Sequence, residues 1–170
     1  MNSFFSKHKT IDNLEIYKYS KTNDKRGSLF TIFLGNFFKK QKFNHDKVTY
    51  AIKNSLRGMH GDNKTTKLIT CIHGKVYCNI YNDDPKSKFY KKKYSFRLNQ
   101  NFSILIPPKV LLGWCVLSKE AILIYKFSYL GKYNDFDTQK TVRYDDPRLK
   151  LKWPIKEKDM IVSKRDKLVK

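Results

Sequence analysis

Thr66-Lys67-Leu68-Ile69-Thr70-Cys71-Ile72-His73-Gly74-Lys75-Val76-Tyr77-Cys78-Asn79-Ile80-Tyr81 decides the fold. Two runs rich in β-branched, aromatic and other apolar residues flank one His-Gly dipeptide. Their period is nearer two than 3.6, so they predict strands over 66–72 and 75–81. His73-Gly74 between them predicts a tight hairpin turn.

The same pattern recurs outward in both directions. Strands are expected over 14–19, 28–33, 47–52, 89–97, 102–106 and 121–128, with turns at Asn23-Asp24-Lys25-Arg26-Gly27 and Asn82-Asp83-Asp84-Pro85. Residues 34–42 predict a short helix. Strand signals every ~8–12 residues are the spacing of an all-β sandwich or barrel. From Gly131 the chain turns loop-rich, with Asp145-Asp146-Pro147 and Trp153-Pro154 before a charged end. The expectation is one domain over 1–170, an all-β sandwich with short helices and a C-terminal extension.

Composition narrows the function. The 170 residues carry 36 Lys+Arg against 15 Asp+Glu, a formal charge of +21, yet 15% are aromatic. Disordered chains are poor in aromatics, so the charge belongs to a folded domain. Purely apolar runs stop at about five residues, as over 121–125, against the ~20 a spanning helix needs. The N-terminus shows no secretory pattern, and Cys71, Cys78 and Cys115 are an odd set with no close pair. A soluble, cytoplasmic protein without membrane insertion, disulfide framework or zinc is expected. Nucleic acid is a poor fit as partner: 30 of the cations are Lys, 6 are Arg, and no nucleic-acid motif stands among them. Dispersed surface Lys accounts for most of the charge.

Potential chemistry concentrates in Leu56-Arg57-Gly58-Met59-His60-Gly61-Asp62-Asn63-Lys64-Thr65-Thr66-Lys67-Leu68, between strand signals. A lone His near a turn is ordinarily structural. His8, His45, His60 and His73 lie too far apart in the chain for metal-ligand spacing, so no metal is expected.

From residue 11 to 166 the chain resembles the nucleotide-sugar 3,5-epimerase family of the dTDP-4-dehydrorhamnose type. Asp24-Lys25-Arg26-Gly27-Ser28-Leu29-Phe30 is similar to that family's opening, Leu56-Arg57-Gly58-Met59-His60 to its core, and Lys67-Leu68-Ile69-Thr70-Cys71 to its next strand. Ile104-Leu105-Ile106-Pro107-Pro108, Ile124-Tyr125-Lys126, Asp145-Asp146-Pro147, Lys152-Trp153-Pro154 and Ser163-Lys164-Arg165-Asp166 continue the series in order. Phe43-Asn44-His45-Asp46-Lys47, Gly61-Asp62 and Tyr129-Leu130-Gly131-Lys132-Tyr133 are most similar to the branch acting on GDP-linked 4-keto heptoses in capsule and surface-polysaccharide synthesis.

The resemblance implies a cupin-like (jelly-roll) sandwich. It further implies a homodimer with N-terminal strands pairing across subunits, a nucleotide-diphosphate sugar as substrate, and no cofactor. Inversion beside a keto group needs a base on one face of the sugar ring and an acid on the other. The resemblance makes His60 the base, Asp166 its orienting carboxylate, Tyr125 the acid and Lys67 the cation at the enolate oxygen. Arg26, Arg57, His45 and Lys47 become substrate contacts, with Arg suited to diphosphate oxygens. Three departures are expected to alter specificity, one being His45 and Lys47 where those enzymes carry a nucleotide-contacting Gln and Asn. Leu111-Leu112-Gly113 stands where those enzymes carry a second active-site His, and Leu130-Gly131 where they carry a Tyr pair. A cupin-fold 3,4-ketoisomerase and a non-enzymatic basic binding module are the competing readings.

Overall fold

A computed structural model of the chain describes residues 5–129, 131–132 and 139–168. Strands β1 (Phe5–Ile11), β2 (Leu14–Tyr19), β3 (Lys21–Asp24) and β4 (Gly27–Phe30) lead through one 3-10 turn (Gly35–Phe38) into β5 (Phe43–Ile52). Then come β6 (Ser55–Gly61), β7 (Thr66–His73), β8 (Lys75–Asn82), β9 (Lys93–Asn99), β10 (Phe102–Ile106), β11 (Val110–Val116) and β12 (Glu120–Ser128). The C-terminal segment adds β13 (Lys140–Thr141), a second 3-10 turn (Glu157–Asp159), β14 (Ile161–Val162) and a short helix α1 (Lys164–Leu168).

These elements form two facing sheets, a cupin-like sandwich. The first runs β1-β2-β10-β7-β12-β5; the second runs β13-β6-β11-β8-β9, with β14 also paired to β6. Ile69, Cys71 and Leu123 of the first sheet meet Val76, Ile80 and Trp114 of the second in the central core. Each buried aliphatic side chain there contributes about 1.5–3 kcal/mol. Alternation puts Leu68 and Leu105 on the opposite face of the first sheet, where they join an aromatic cluster of Phe5, Tyr17 and Phe38. On the second sheet, Met59 and Leu111 pack against Leu149 and Trp153, which ties the C-terminal segment down. Trp153 Nε1–H donates to the Tyr144 carbonyl at 2.9 Å, giving that indole the partner a buried N–H needs.

Several expectations are corrected. His73-Gly74 is a corner rather than a hairpin, because β7 belongs to the first sheet and β8 to the second. Gly74 has φ +76°, and a Cβ there would lie 2.1 Å from the Glu120 carbonyl oxygen. The strand expected over 28–33 ends at Phe30 and pairs with β3. The helix expected over 34–42 is a single 3-10 turn, since Phe33, Phe38 and Phe43 converge into the aromatic cluster and the chain must bend to bring them together. Residues 89–92 form turns, and that strand starts at Lys93. β6 and β11 were not anticipated. β11 is buried along its whole length and so shows no alternation, while β6 is interrupted by glycines.

Candidate active site

β6 is a wall strand of a cavity of about 690 Å³ between the sheets. Arg57 and His60 both line it, although residues three apart on a regular strand face opposite ways. A β-bulge resolves this: His60 pairs with Leu112 and Arg57 with Trp114, so three steps along β6 match two along β11. Gly58 makes the irregularity possible. Its φ is +118°, and a Cβ would fall 2.5 Å from Gly113 Cα and 2.7 Å from the Leu112 carbonyl oxygen. The motif around His60 is therefore geometric as well as chemical.

The outer edge of β6 is closed by the C-terminal segment. β14 pairs in parallel with Ser55 and Leu56, and β13 pairs antiparallel with His60 and Gly61. This register brings Asp166 and Thr141 to either side of the imidazole. His60 Nε2 lies 3.0 Å from Asp166 Oδ1, close but not in line as a hydrogen bond. Such a contact strengthens as an ion pair once the ring takes up a proton. Asp166 Oδ2 accepts the Gly58 N–H at 3.2 Å. Burial pushes the Asp166 carboxyl upward, but His60, the Gly58 N–H and Ser163 outweigh it and hold the group below its ordinary range. On the other ring nitrogen, His60 Nδ1 sits 3.1 Å from Thr141 Oγ1. Arg165 Nη2 donates to that same hydroxyl oxygen at 2.9 Å and to Gln139 Oε1 at 3.0 Å.

The facing wall comes from the first sheet. β12 contributes Tyr125 and Phe127, β7 Lys67, and β5 Lys47 and Thr49. Register puts Ile69, Tyr125 and Lys47 in one row and Lys67, Phe127 and His45 in the next. Lys67 is 5% exposed, with Nζ 3.5 Å from Asp62 Oδ2. Asp62 is held by accepting the N–H groups of Lys64 and Thr65 on Oδ1, at 2.9 and 2.6 Å. Burial lowers the Lys67 pKa, and Asp62 works against that shift. Tyr125 is pushed well above an ordinary phenol by burial, with a hydrogen bond from Trp114 opposing.

Of the residues singled out from sequence, His60, Asp166, Tyr125, Lys67, Arg57 and Lys47 all border this cavity. His45 is not among the lining residues; its ring packs 5.5 Å from that of Phe127, which is. Arg26 does not border the cavity. It sits in the β3–β4 turn with its side chain 91% exposed, paired to Asp24 at 2.6 Å. Leu112 gives the cavity an apolar surface beside His60. Leu130 and Tyr133 lie outside the described residues. Trp114, Thr141, Gln139 and Arg165 were not singled out as site residues. A Trp inside a wholly apolar run was the one usable hint for the first, while Thr141 and Gln139 come near only through β13 pairing.

Among the described residues the cavity lining holds four basic side chains, Lys47, Arg57, Lys67 and Arg165, against one carboxylate, Asp166. That balance suits an anionic ligand. Among the described residues no group of three His, Cys, Asp or Glu side chains could hold a metal ion, and no helix is long and apolar enough to cross a membrane.

Known proteins share this fold. The dTDP-4-dehydrorhamnose 3,5-epimerase of Neisseria gonorrhoeae is 24% identical over 162 residues; the chain spans 48% of that relative's length, and 91% of the chain is covered. The enzyme of the same name from Shigella flexneri is 24% identical over 155 residues, covering 85% of this chain and 84% of its own. A solved structure, the dTDP-6-deoxy-D-glucose-3,5-epimerase of Legionella pneumophila in complex with dTDP-4-keto-L-rhamnose, superposes with a TM-score of 0.86. It is 24% identical and covers 96% of this chain and 90% of its own. The family model described as dTDP-4-dehydrorhamnose 3,5-epimerase matches residues 8–170. With nearly its whole length inside that match, the chain belongs to the dTDP-4-dehydrorhamnose 3,5-epimerase family.

Proposed function

We propose that this protein is an isomerase that epimerises a nucleotide-diphosphate-linked 4-keto sugar at carbon 3, or at carbons 3 and 5. The observation that carries the reading is the pairing of His60 with Asp166 on one wall of a cationic cavity whose facing wall holds Tyr125. A keto group at carbon 4 acidifies the neighbouring C–H bonds, because the carbanion delocalises into an enolate. His60 removes the proton, and Asp166 stabilises the imidazolium. Lys67 opposes the charge growing on the enolate oxygen, a role worth ~3–4 kcal/mol by analogy with oxyanion donors. Tyr125 then protonates the carbon from the other face, which inverts the centre. Arg57 and Lys47, with His45 behind Phe127, bind the diphosphate.

Similarity to the GDP-heptose branch favours a GDP-linked 4-keto-6-deoxy-heptose as substrate and surface-polysaccharide synthesis in the cytoplasm as the process. We assign the Arg26 contact to the cavity of a second copy, because the β3–β4 turn holds Arg26 away from its own. A homodimer fits the surface of edge strand β5, where Val48, Tyr50 and Ile52 are all more than half exposed on one face.

Incubating the protein with GDP-, dTDP- and UDP-linked 4-keto sugars in deuterium oxide tests the reading. Deuterium should enter at carbon 3, or at carbons 3 and 5, as read by mass spectrometry and NMR. Absence of exchange with the whole panel would overturn it.

A further inference from the structure

Trp114 joins the two walls of the cavity. It stands on β11 of the second sheet, is 2% exposed, and its Nε1–H donates to Tyr125 Oη on β12 of the first sheet at 2.6 Å. The Arg57 guanidinium lies 5.9 Å above the same indole. We propose that Trp114 is the positioning residue for Tyr125: it fixes where the phenol proton points and stabilises the phenolate left when that proton is delivered. This rests on the reading of Tyr125 as the acid.

The argument follows from donor and acceptor counts. A phenol oxygen has one proton and two lone pairs, whereas an indole N–H only donates. With Nε1–H filling one lone pair, the phenol proton cannot point at Trp114. It is turned away from the indole, on a side chain that itself lines the cavity. When the Oη–H bond breaks, the proton goes to the substrate carbanion and the electron pair stays on Oη. The Nε1–H···O contact then becomes charge-assisted and stronger, so it favours the transferred state over the ground state. Burial opposes a phenolate at Tyr125, while the Trp114 hydrogen bond favours one.

Trp114→Phe removes the N–H and keeps an aromatic ring in the core. Its effect should fall on reprotonation, since Trp114 has no hydrogen bond to the His60–Asp166 pair. The expected result is a kcat lower by roughly 10- to 100-fold, the range for losing a hydrogen bond to a charged group. Substrate deuterium exchange should fall less than inversion, as in Tyr125→Phe. An inversion-to-exchange ratio equal to wild type would overturn the proposal. A second measurement does not depend on activity. In the 15N-labelled protein, Trp114→Phe identifies the Trp114 indole N–H resonance, and Tyr125→Phe should shift it upfield; an unmoved resonance would also overturn the proposal. If the wild type exchanges nothing, the epimerase reading fails, and the indole resonance still decides whether Trp114 holds the Tyr125 oxygen.

Discussion

The two walls of the cavity are built on different principles. The Tyr125 wall is regular where it lines the cavity: β5, β12 and β7 pair side by side, their register shifts fall outside the Tyr125 and Phe127 rows, and alternation turns Lys47, Tyr125 and Lys67 inward. The His60 wall is irregular. It needs a β-bulge to face Arg57 and His60 the same way, two glycines to let β6 and β11 approach, and a C-terminal segment to bring in Asp166 and Thr141. Regular sheet supplies stiff positions at fixed spacing. The irregular wall gathers groups more than 80 residues apart in the chain around one imidazole. In the proposed reaction the second construction orients the base from two sides, and the first holds the proton donor.

The chemistry of the His60 wall breaks most completely at the imidazole. His60→Asn should lower the exchange rate by on the order of 10²–10⁴, the usual contribution of a general base, with the fold retained; deuterium-exchange rates and circular dichroism check both. A rate within threefold of wild type would remove His60 from its role. The geometry of that wall breaks next. Gly58→Ala places a Cβ against Gly113 and the Leu112 carbonyl at a positive φ. It should cost on the order of 3 kcal/mol in urea unfolding. Gly131→Ala, where a Cβ meets nothing within 4 Å among the described residues, is the control; its φ of +83° leaves the smaller backbone strain.

The same contrast governs what the sequence disclosed. Strands of the regular wall were readable from their alternation: 66–72 and 121–128 sit within one residue of the observed β7 and β12 at each end. β6 was not readable as a strand, because Gly58 and Gly61 signal turns locally and the close approach to β11 that requires Gly58 is a long-range fact. β11 hid for the opposite reason, being buried at every position. His60, Lys67, Tyr125 and Asp166 became visible only together, through the order of motifs shared with a family. Nothing local marked Thr141 or Arg165, whose proximity to the imidazole depends on which edge β13 and β14 occupy. The excess positive charge acquires a partial place in the fold. Four of its cations line one concave site, and the Lys runs at 39–42 and 91–93 lie elsewhere.

The regular wall has its own weak point, the buried Lys67–Asp62 pair, and there the expected effect is smallest. Burial favours neutral Lys67, while Asp62 favours the ammonium. In the folded protein Lys67 therefore releases its proton at lower pH than in the unfolded chain. Between those two pKa values the unfolded state binds more protons, so this group's contribution to stability rises with pH until the unfolded value is passed. In the proposed reaction activity runs the other way, because the ammonium is what opposes the enolate charge. Asp62→Asn keeps an oxygen for the Lys64 and Thr65 N–H groups and removes the charge, so the turn should survive at a cost of about 1–2 kcal/mol. The alkaline limb of the pH–rate profile should move to lower pH. A shift of that limb would show Lys67 acting as a charge, held by a carboxylate that is not among the cavity-lining residues. An unmoved limb would make Lys67 a packed side chain of the regular wall and leave the enolate to the cations of the irregular one.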